Sequence, residues 1–343
     1  MAINFEYPFK SKDFFEYVNY FEKYKDVKSN LLFSDVKSQD PLVSVVIPTY
    51  KAPYIKEALD SVLRQTEAPD YEVVIVENDP GNSSLLEYVK SLNSGRIRYY
   101  CNEENIGAAG NWNRCIELAR SEDIVFCHSD DMLLEDTLKN LWAFRQKFGP
   151  KAAILGRSRA VDAYGHIIRK DNTCKDRFAG LLKAKPYYLN DIYSLFMLDF
   201  SNGVGEMFSR SVLMRIGGYN PDFYPAIDFV MLMNYFRFAS MYRINQITRI
   251  GRVAVNTSLT VSSKFAACNF YMQRAIVDKY FGGNRFFHYM GRLASESAGQ
   301  EQLNFFPARK LNLLEKVMVR MSVIVYNLHA KYYWIINNWN SER

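Results

Sequence analysis

Two adjacent carboxylates, Asp130 and Asp131, follow directly on a short apolar run, Ile124-Val125-Phe126-Cys127, with His128 and Ser129 at the break. Neighbouring carboxylates repel each other and gain nothing from packing, so such a pair calls for a counter-charge. A divalent cation, Mn²⁺ or Mg²⁺, is a suitable one. Asp130 is the hard oxygen ligand and His128 a candidate second ligand, because manganese tolerates imidazole. A cation there could bridge to a diphosphate and stabilise it as a leaving group. The competing reading is that Asp131 or Ser129 caps the next helix.

Other polar clusters carry compatible chemistry. Glu77 ends a second apolar run and leads into Asn78-Asp79. Its carboxylate could accept from a base N–H or from ribose hydroxyls, or simply be a solvated loop acid. The stretch from Asn105 through Gly107 and Asn111 to Asn113 offers a turn, a helix start and several amides. Helix N-termini attract anions. No G-x-G-x-x-G pattern is present, which argues against a dinucleotide fold. Gly203-Val204-Gly205 suits a tight turn or a close backbone approach to a ligand. Asp228 precedes a strongly apolar stretch, where a carboxylate is costly unless partnered or working. It is the candidate general base for an acceptor hydroxyl, with a helix N-cap as the alternative.

Periodicity supplies the elements that must position these groups. Residues 41–48 and 71–76 are continuous β-branched runs of the kind buried on both faces of a sheet. Residues 97–100 and 124–127 are shorter strands. Helical spacing occupies 54–65, 83–93 and 107–119. The alternation of strand and helix predicts a parallel sheet covered on both faces, with ligands beyond the carboxyl ends of its strands. Pro48-Thr49-Tyr50, Glu77, Asn105 and Gly107, and His128 to Asp131 all fall there. Beyond residue 150 the pattern weakens. A strand and turn are expected at 154–162, a strand beginning in a tight turn at 202–209, and a short helix at 211–216 ended by Gly217-Gly218. A buried helix is expected at 228–238. Residues 10–33 read as one or two amphipathic helices rich in Phe and Tyr, followed by a polar linker.

Composition bounds the function class. The 343 residues are 48% hydrophobic with a net charge of +6. Residues 264–343 hold 11 basic and 5 acidic residues, an excess equal to that of the whole chain. This tail reads as helical and ends among Tyr326, Tyr332, Tyr333, Trp334 and Trp339, a composition suited to a lipid interface. Packing onto the main domain, or a homodimer, is the alternative. No nucleic-acid module accompanies the charge. Five scattered cysteines without a C-x-x-C pair indicate neither a zinc knuckle nor a disulfide framework, and fit a reducing compartment. No leader and no 18-residue apolar run is found, so a cytoplasmic location is expected, at the inner membrane face if the tail meets lipid.

Taken in order, the motifs resemble the family 2 glycosyltransferases of GT-A fold, particularly those that build bacterial polysaccharide and O-antigen-type glycans. Residues 43–50 are similar to that family's first strand and nucleotide loop. Residues 58–66 resemble its first helix, and residues 102–107 and 113–119 its next loop and helix. Ser129-Asp130-Asp131 is similar to the end of its D-x-D metal motif, and residues 210–219 to the segment leading to its acceptor-side acid, which falls on Asp228. Three departures stand out. His128 occupies the place of the first D-x-D acid, Glu77 that of an aspartate, and Ile227 that of an acid before the catalytic one. The resemblance implies an α/β GT-A domain over 41–260, between an N-terminal helical extension (1–40) and a helical C-terminal region (261–343). It implies inverting transfer from a nucleotide-diphosphate sugar, UDP-linked by expectation, to a hydroxyl of a glycan or lipid-linked acceptor. The donor would meet Pro48, Thr49, Tyr50, Glu77, Asn105, Gly107, Asn111, Ser129 and Asp130. Mn²⁺ or Mg²⁺ would sit at Asp130, with His128 as a candidate ligand, and Asp228 would be the catalytic base. The rival is a non-catalytic nucleotide-sugar-binding or scaffold protein with a degenerate D-x-D motif.

Overall fold

A computed structural model of the chain describes residues 8–81, 84–169, 187–189, 203–252, 262–292 and, further on, 312–314, 317 and 321. Its centre is four parallel strands in the order β4-β3-β2-β5: β2 (Val43–Thr49), β3 (Tyr71–Glu77), β4 (Ile97–Asn102) and β5 (Asp123–Phe126). Every residue of β2 and β3 is buried, as continuous apolar runs between two helical layers should be. Val45, Ile47, Val73 and Ile75 face one core, with α1 (Ile55–Leu63), α2 (Ser84–Leu92) and α4 (Thr137–Phe148). Val46, Val74, Val76 and Phe126 face the other, where α3 (Gly107–Leu118) packs.

Antiparallel strands extend this unit on both sides. β1 (Ser29–Ser34) pairs with β4 at one edge. On the other side β10 (Met207–Ser209) pairs antiparallel with β5 and with β7 (Ala153–Val161). β7 runs parallel to β11 (Met241–Arg252), which pairs with the short β6 (Met132–Leu133). Two further short strands, β8 (Ile167–Arg169) and β9 (Tyr187–Leu189), pair with β7 and β11. The helices α5 (Arg210–Arg215), α6 (Ile227–Phe236) and α7 (Ser262–Tyr280) follow in the second half.

Three expectations need correcting. The region 10–33 contains no α-helix; it has 3₁₀ turns at Pro8–Ser11 and Glu22–Tyr24, then β1. Phe9, Phe14 and Phe21 are buried in the second core. The backbone between them closes only short local turns, such as Lys12 N–H to the Phe9 carbonyl, and otherwise bonds outward. Tyr20 N–H donates to the Gly217 carbonyl, Asn234 donates to the Phe14 carbonyl and Arg237 to the Phe15 carbonyl. Partners in α6 and at the ends of α5 and α6 thus take up groups that a helix would bond internally. Secondly, β7 is one nine-residue strand where a short strand and turn were expected, and the turn comes later, at 162–166. Thirdly, the twelve-residue β11 carried no clear periodic signal. At the C-terminus, α7 buries Ala267, Cys268, Met272, Ile276 and Val277 in the core shared with α6. The aromatic cluster 326–339 lies outside the described residues. No described helix is long and apolar enough to cross a membrane.

Candidate active site

The loops at the carboxyl ends of the four parallel strands converge. Pro48 and Thr49 are buried at the end of β2, and Tyr50 turns outward. The register sets Thr49 beside Glu77, and Glu77 beside Cys101. Glu77 is fully buried and accepts the Asp79 N–H at 3.0 Å. The Thr49 hydroxyl is buried with no hydrogen-bond partner among the described residues. A buried polar group left so is costly unless something else meets it, and this one lies at the carboxyl end of β2.

Behind these groups lies an amide network. Asn78 donates to the Asn105 side chain at 2.8 Å and accepts from Ile106 N–H and from Asn102. Asn102 also donates to Asn111, whose own amide donates to the Val76 carbonyl. Asn105 accepts from Gly107 N–H at 2.8 Å. Gly107 sits at φ +74°, a conformation that favours glycine, where the chain enters α3. These bonds hold the loops after β3 and β4 together through the side chains of Asn105 and Asn111.

His128, Asp130 and Asp131 bring their ligand atoms within 4.8 Å of one another beyond β5. The two carboxylates differ sharply. Asp131 is buried and engaged: Arg249 lies 3.2 Å away and Arg252 N–H donates to it at 3.0 Å. It does not cap α4, whose N-cap is Asp136. Asp130 is half-buried, and beyond its own backbone amide its carboxylate has no bond to any described residue. Burial, then the charge of Asp131, pushes its carboxyl above the usual range. The His128 ring nitrogens likewise make no bond to a described residue. Burial holds the imidazole down at about 4, so it stays neutral at physiological pH. An open carboxylate, a neutral imidazole and a second carboxylate this close fit a divalent cation. Ser129 is half-buried at the same loop.

Asp228 lies in the first turn of α6, one residue inside the helix, not ahead of it. The N-cap is Ala226, and the carboxylate accepts the adjacent Phe229 N–H at 2.9 Å and bonds its own backbone amide. Burial pushes its carboxyl up to about 7, opposed by backbone hydrogen bonds and by the charge of Arg249. A carboxylate poised there can take a proton near neutral pH.

Arg249 and Arg252, both on β11, are the functional residues that sequence reasoning missed. Arg249 pairs with Asp131 at 3.2 Å, and its charge is felt by His128, Asp130 and Asp228 alike. Gly205, at φ +62°, leaves room for it: a Cβ there would lie 2.9 Å from that of Arg249. Arg252 is 2% exposed, pairs with Glu57 at 2.7 Å, covers the Tyr54 ring at 4.0 Å and donates to the Ala163 carbonyl. These contacts fasten the start of α1 and the turn after β7 to the cation loop. Only three-dimensional pairing reveals them, since Arg252 is some 120 residues from Asp131.

The family model for "Glycosyl transferase family 2" matches residues 44–217, just over half of the chain. The protein belongs to that family. Among its relatives is a putative teichuronic acid biosynthesis glycosyltransferase of Bacillus subtilis, 32% identical over 40% of this chain and 52% of that one. A GalNAc(5)-diNAcBac-PP-undecaprenol beta-1,3-glucosyltransferase of Campylobacter jejuni is 24% identical over 68% and 71%. The chain spans only 50–61% of the length of three curated relatives it matches, the Bacillus protein among them. The fold matches that of S. aureus TarS residues 1–349, with a TM-score of 0.55 at 16% identity over 82% of this chain and 80% of that one. It also matches a Pyrobaculum calidifontis mannosyltransferase in complex with GDP-Man and Mn²⁺, with a TM-score of 0.52 at 16% identity over 90% and 92%. These likenesses establish a GT-A fold.

Proposed function

We propose that this chain is an inverting glycosyltransferase that moves a sugar, hexosyl or N-acetylhexosaminyl, from a nucleotide-diphosphate donor, with UDP the first candidate, to a hydroxyl of a glycan or lipid-linked acceptor. The observation that carries the proposal is the arrangement around Arg249. An open carboxylate at Asp130, next to the Asp131–Arg249 pair, and a second carboxylate raised to about 7 at Asp228 both feel the charge of this arginine. Support for the substrate class comes from relatives. The TarS structure includes a UDP-GlcNAc complex, and the Campylobacter relative is named for a diphosphoundecaprenol glycan.

Each residue has a part. Glu77 and the unpartnered Thr49 hydroxyl border the pocket for the nucleoside, which Pro48 and Tyr50 flank. The Asn105–Gly107 loop, braced by Asn111, lies beside it. Asp130 would hold a divalent cation, Mn²⁺ or Mg²⁺, which would supply positive charge to the departing diphosphate. Asp228 removes the proton of the acceptor hydroxyl. The freed oxygen bonds to the anomeric carbon from the face opposite the leaving group, so the configuration there inverts. No covalent enzyme intermediate is needed. The tail, residues 265–343, would hold the protein at the anionic inner face of the cell membrane, where a lipid-linked acceptor is presented; pelleting with anionic vesicles at low salt, lost as salt rises, tests this.

The donor can be found by thermal shift. In the presence of Mn²⁺, a matching nucleotide sugar at a hundredfold excess over its dissociation constant should stabilise the protein by about 2.7 kcal/mol. Product made from that donor is then examined by NMR. Inversion at the anomeric carbon supports the proposal, and retention would overturn it.

A further inference from the structure

We propose that His128, clamped by Trp112, is itself a ligand of the cation and makes this site prefer Mn²⁺ over Mg²⁺. The inference rests on the glycosyltransferase reading above, because it concerns the same cation, but it adds a residue and a selectivity.

The argument begins with the ring stack. Trp112 lies face to face with the His128 imidazole, centroids 4.7 Å apart at 27°. Tyr219 packs against the Trp112 ring edge to face, centroids 4.9 Å apart at 79°. Tyr219 is itself anchored. Its N–H donates to the Asn113 side chain at 2.7 Å, and its carbonyl accepts from the same side chain at 3.0 Å. Gly218, at φ +77°, permits that contact, since a Cβ there would lie 2.4 Å from the Asn113 oxygen. The Tyr219 ring also abuts Phe126 at the end of β5. Helix α3, the Gly218–Tyr219 turn and β5 thus converge to fix the plane of one histidine ring. Packing alone gives no reason for that histidine to keep both nitrogens without a bond to a described residue.

The stack fixes the ring without consuming its lone pair. Metal-ligating histidines are oriented by a second group, which sets the ring's direction and fills the role a hydrogen-bonding carboxylate plays elsewhere. Here an aromatic face does it. The resulting donor set, one imidazole and one open carboxylate, is softer than a pair of carboxylates. Mg²⁺ favours oxygen and keeps its waters, whereas Mn²⁺ and later first-row divalent ions accept imidazole nitrogen.

The test uses the whole chain with UDP, and GDP in parallel, titrated with MnCl₂ or MgCl₂ by calorimetry. A second readout is indole emission, because Mn²⁺ bound beside His128 should quench Trp112; the chain has four tryptophans, so Trp112→Phe isolates its share. The wild type should bind Mn²⁺ at least tenfold more tightly than Mg²⁺, with quenching that Trp112→Phe removes. His128→Ala should weaken Mn²⁺ by about tenfold and leave Mg²⁺ nearly unchanged. His128→Asp should bring the two affinities together, and serves as the second variant should alanine disturb the loop. Equal affinity for both ions in the wild type would overturn the inference, as would unchanged Mn²⁺ affinity in His128→Ala. In either case a loss of binding in Asp130→Ala would leave the underlying reading of the site standing. If neither ion binds and Asp130→Ala changes nothing, both readings fall together.

Discussion

The two ends of the parallel strands are built on opposite plans. At the amino end, Glu72 is fully buried and fully answered. Arg98 and Arg120 lie at 3.2 and 2.8 Å, Ser44 donates at 2.8 Å, and the Arg120 N–H donates at 2.9 Å. At the carboxyl end, Asp130 and His128 have no bond to another described side chain, and Asp228 has one neighbouring amide. One buried acid of the sheet is therefore spent on the fold, whereas Asp130, in the loop after β5, and Asp228, in α6, are left open. Where the chain satisfies a buried acid, the acid contributes to stability; where it leaves one open, burial raises the acid's pKa and makes it a proton acceptor or a ligand.

Four predictions would break or sharpen this contrast. The largest effect belongs to Asp228. Its conversion to Asn should lower turnover by roughly 10²–10⁴, the usual range for a positioned base, with donor binding retained. Near-normal turnover would reduce Asp228 to a helix-terminal carboxylate. Next comes Glu72→Ala, which should leave two guanidinium groups facing a void. Both are partly open to water, so a loss of about 2–3 kcal/mol in urea unfolding is expected, with donor affinity unchanged. If donor binding fell as well, the two ends would not be separable.

The third prediction reverses that outcome at the other end. Asp130→Ala should leave the urea midpoint unaltered or slightly higher, and abolish the Mn²⁺-dependent stabilisation by UDP that calorimetry and thermal shift report. His128→Ala should only weaken it. Unchanged affinity in Asp130→Ala would contradict the assignment of the open carboxylate.

The fourth prediction concerns pH. Turnover should rise with pH through about 7, as Asp228 loses its proton. Arg249 opposes the upward shift, so Arg249→Met should move that midpoint higher. The stability effect has the opposite sign. A carboxyl with a raised folded pKa binds its proton more tightly when folded, which stabilises the fold below the unfolded pKa of about 4. That stabilisation is lost as pH rises through about 7. Asp228→Asn should therefore melt a few degrees above wild type at pH 8 and no higher near pH 4. No difference at pH 8 would mean that the acid is not desolvated.

How much of this was legible in the sequence follows the same divide. The parallel half announced itself, because strands buried on both faces read as unbroken apolar runs and their connecting helices carry regular amphipathic spacing. Polar residues interrupting those runs located Glu77, Asp130 and, in the second half, Asp228. The rest depended on contacts far apart in sequence. Arg249 and Arg252 sit in a strand of mixed pattern, and their partners Asp131 and Glu57 lie 118 and 195 residues away. Asn105 and Asn111 read in the sequence as candidate donor contacts, and the amide network that ties them to Asn78 and Asn102 is not legible there. The N-terminal aromatics resembled helical spacing because Phe14 and Phe21 are one heptad apart, yet each fills the core beside α5 and α6, and the intervening backbone is held by those helices.

The central claim is that the open carboxylate of Asp130 and the raised carboxylate of Asp228, both under the charge of Arg249, form a working transferase. The most direct measurement is release of nucleotide diphosphate from a panel of nucleotide sugars with Mn²⁺ and candidate glycan acceptors, for wild type, Asp228→Asn and Asp130→Ala side by side. The account predicts release by the wild type from at least one donor, loss in both variants, and donor binding surviving only in Asp228→Asn. Tight donor binding by the wild type with no release from any donor would contradict it, and would identify the chain as a nucleotide-sugar-binding protein without turnover.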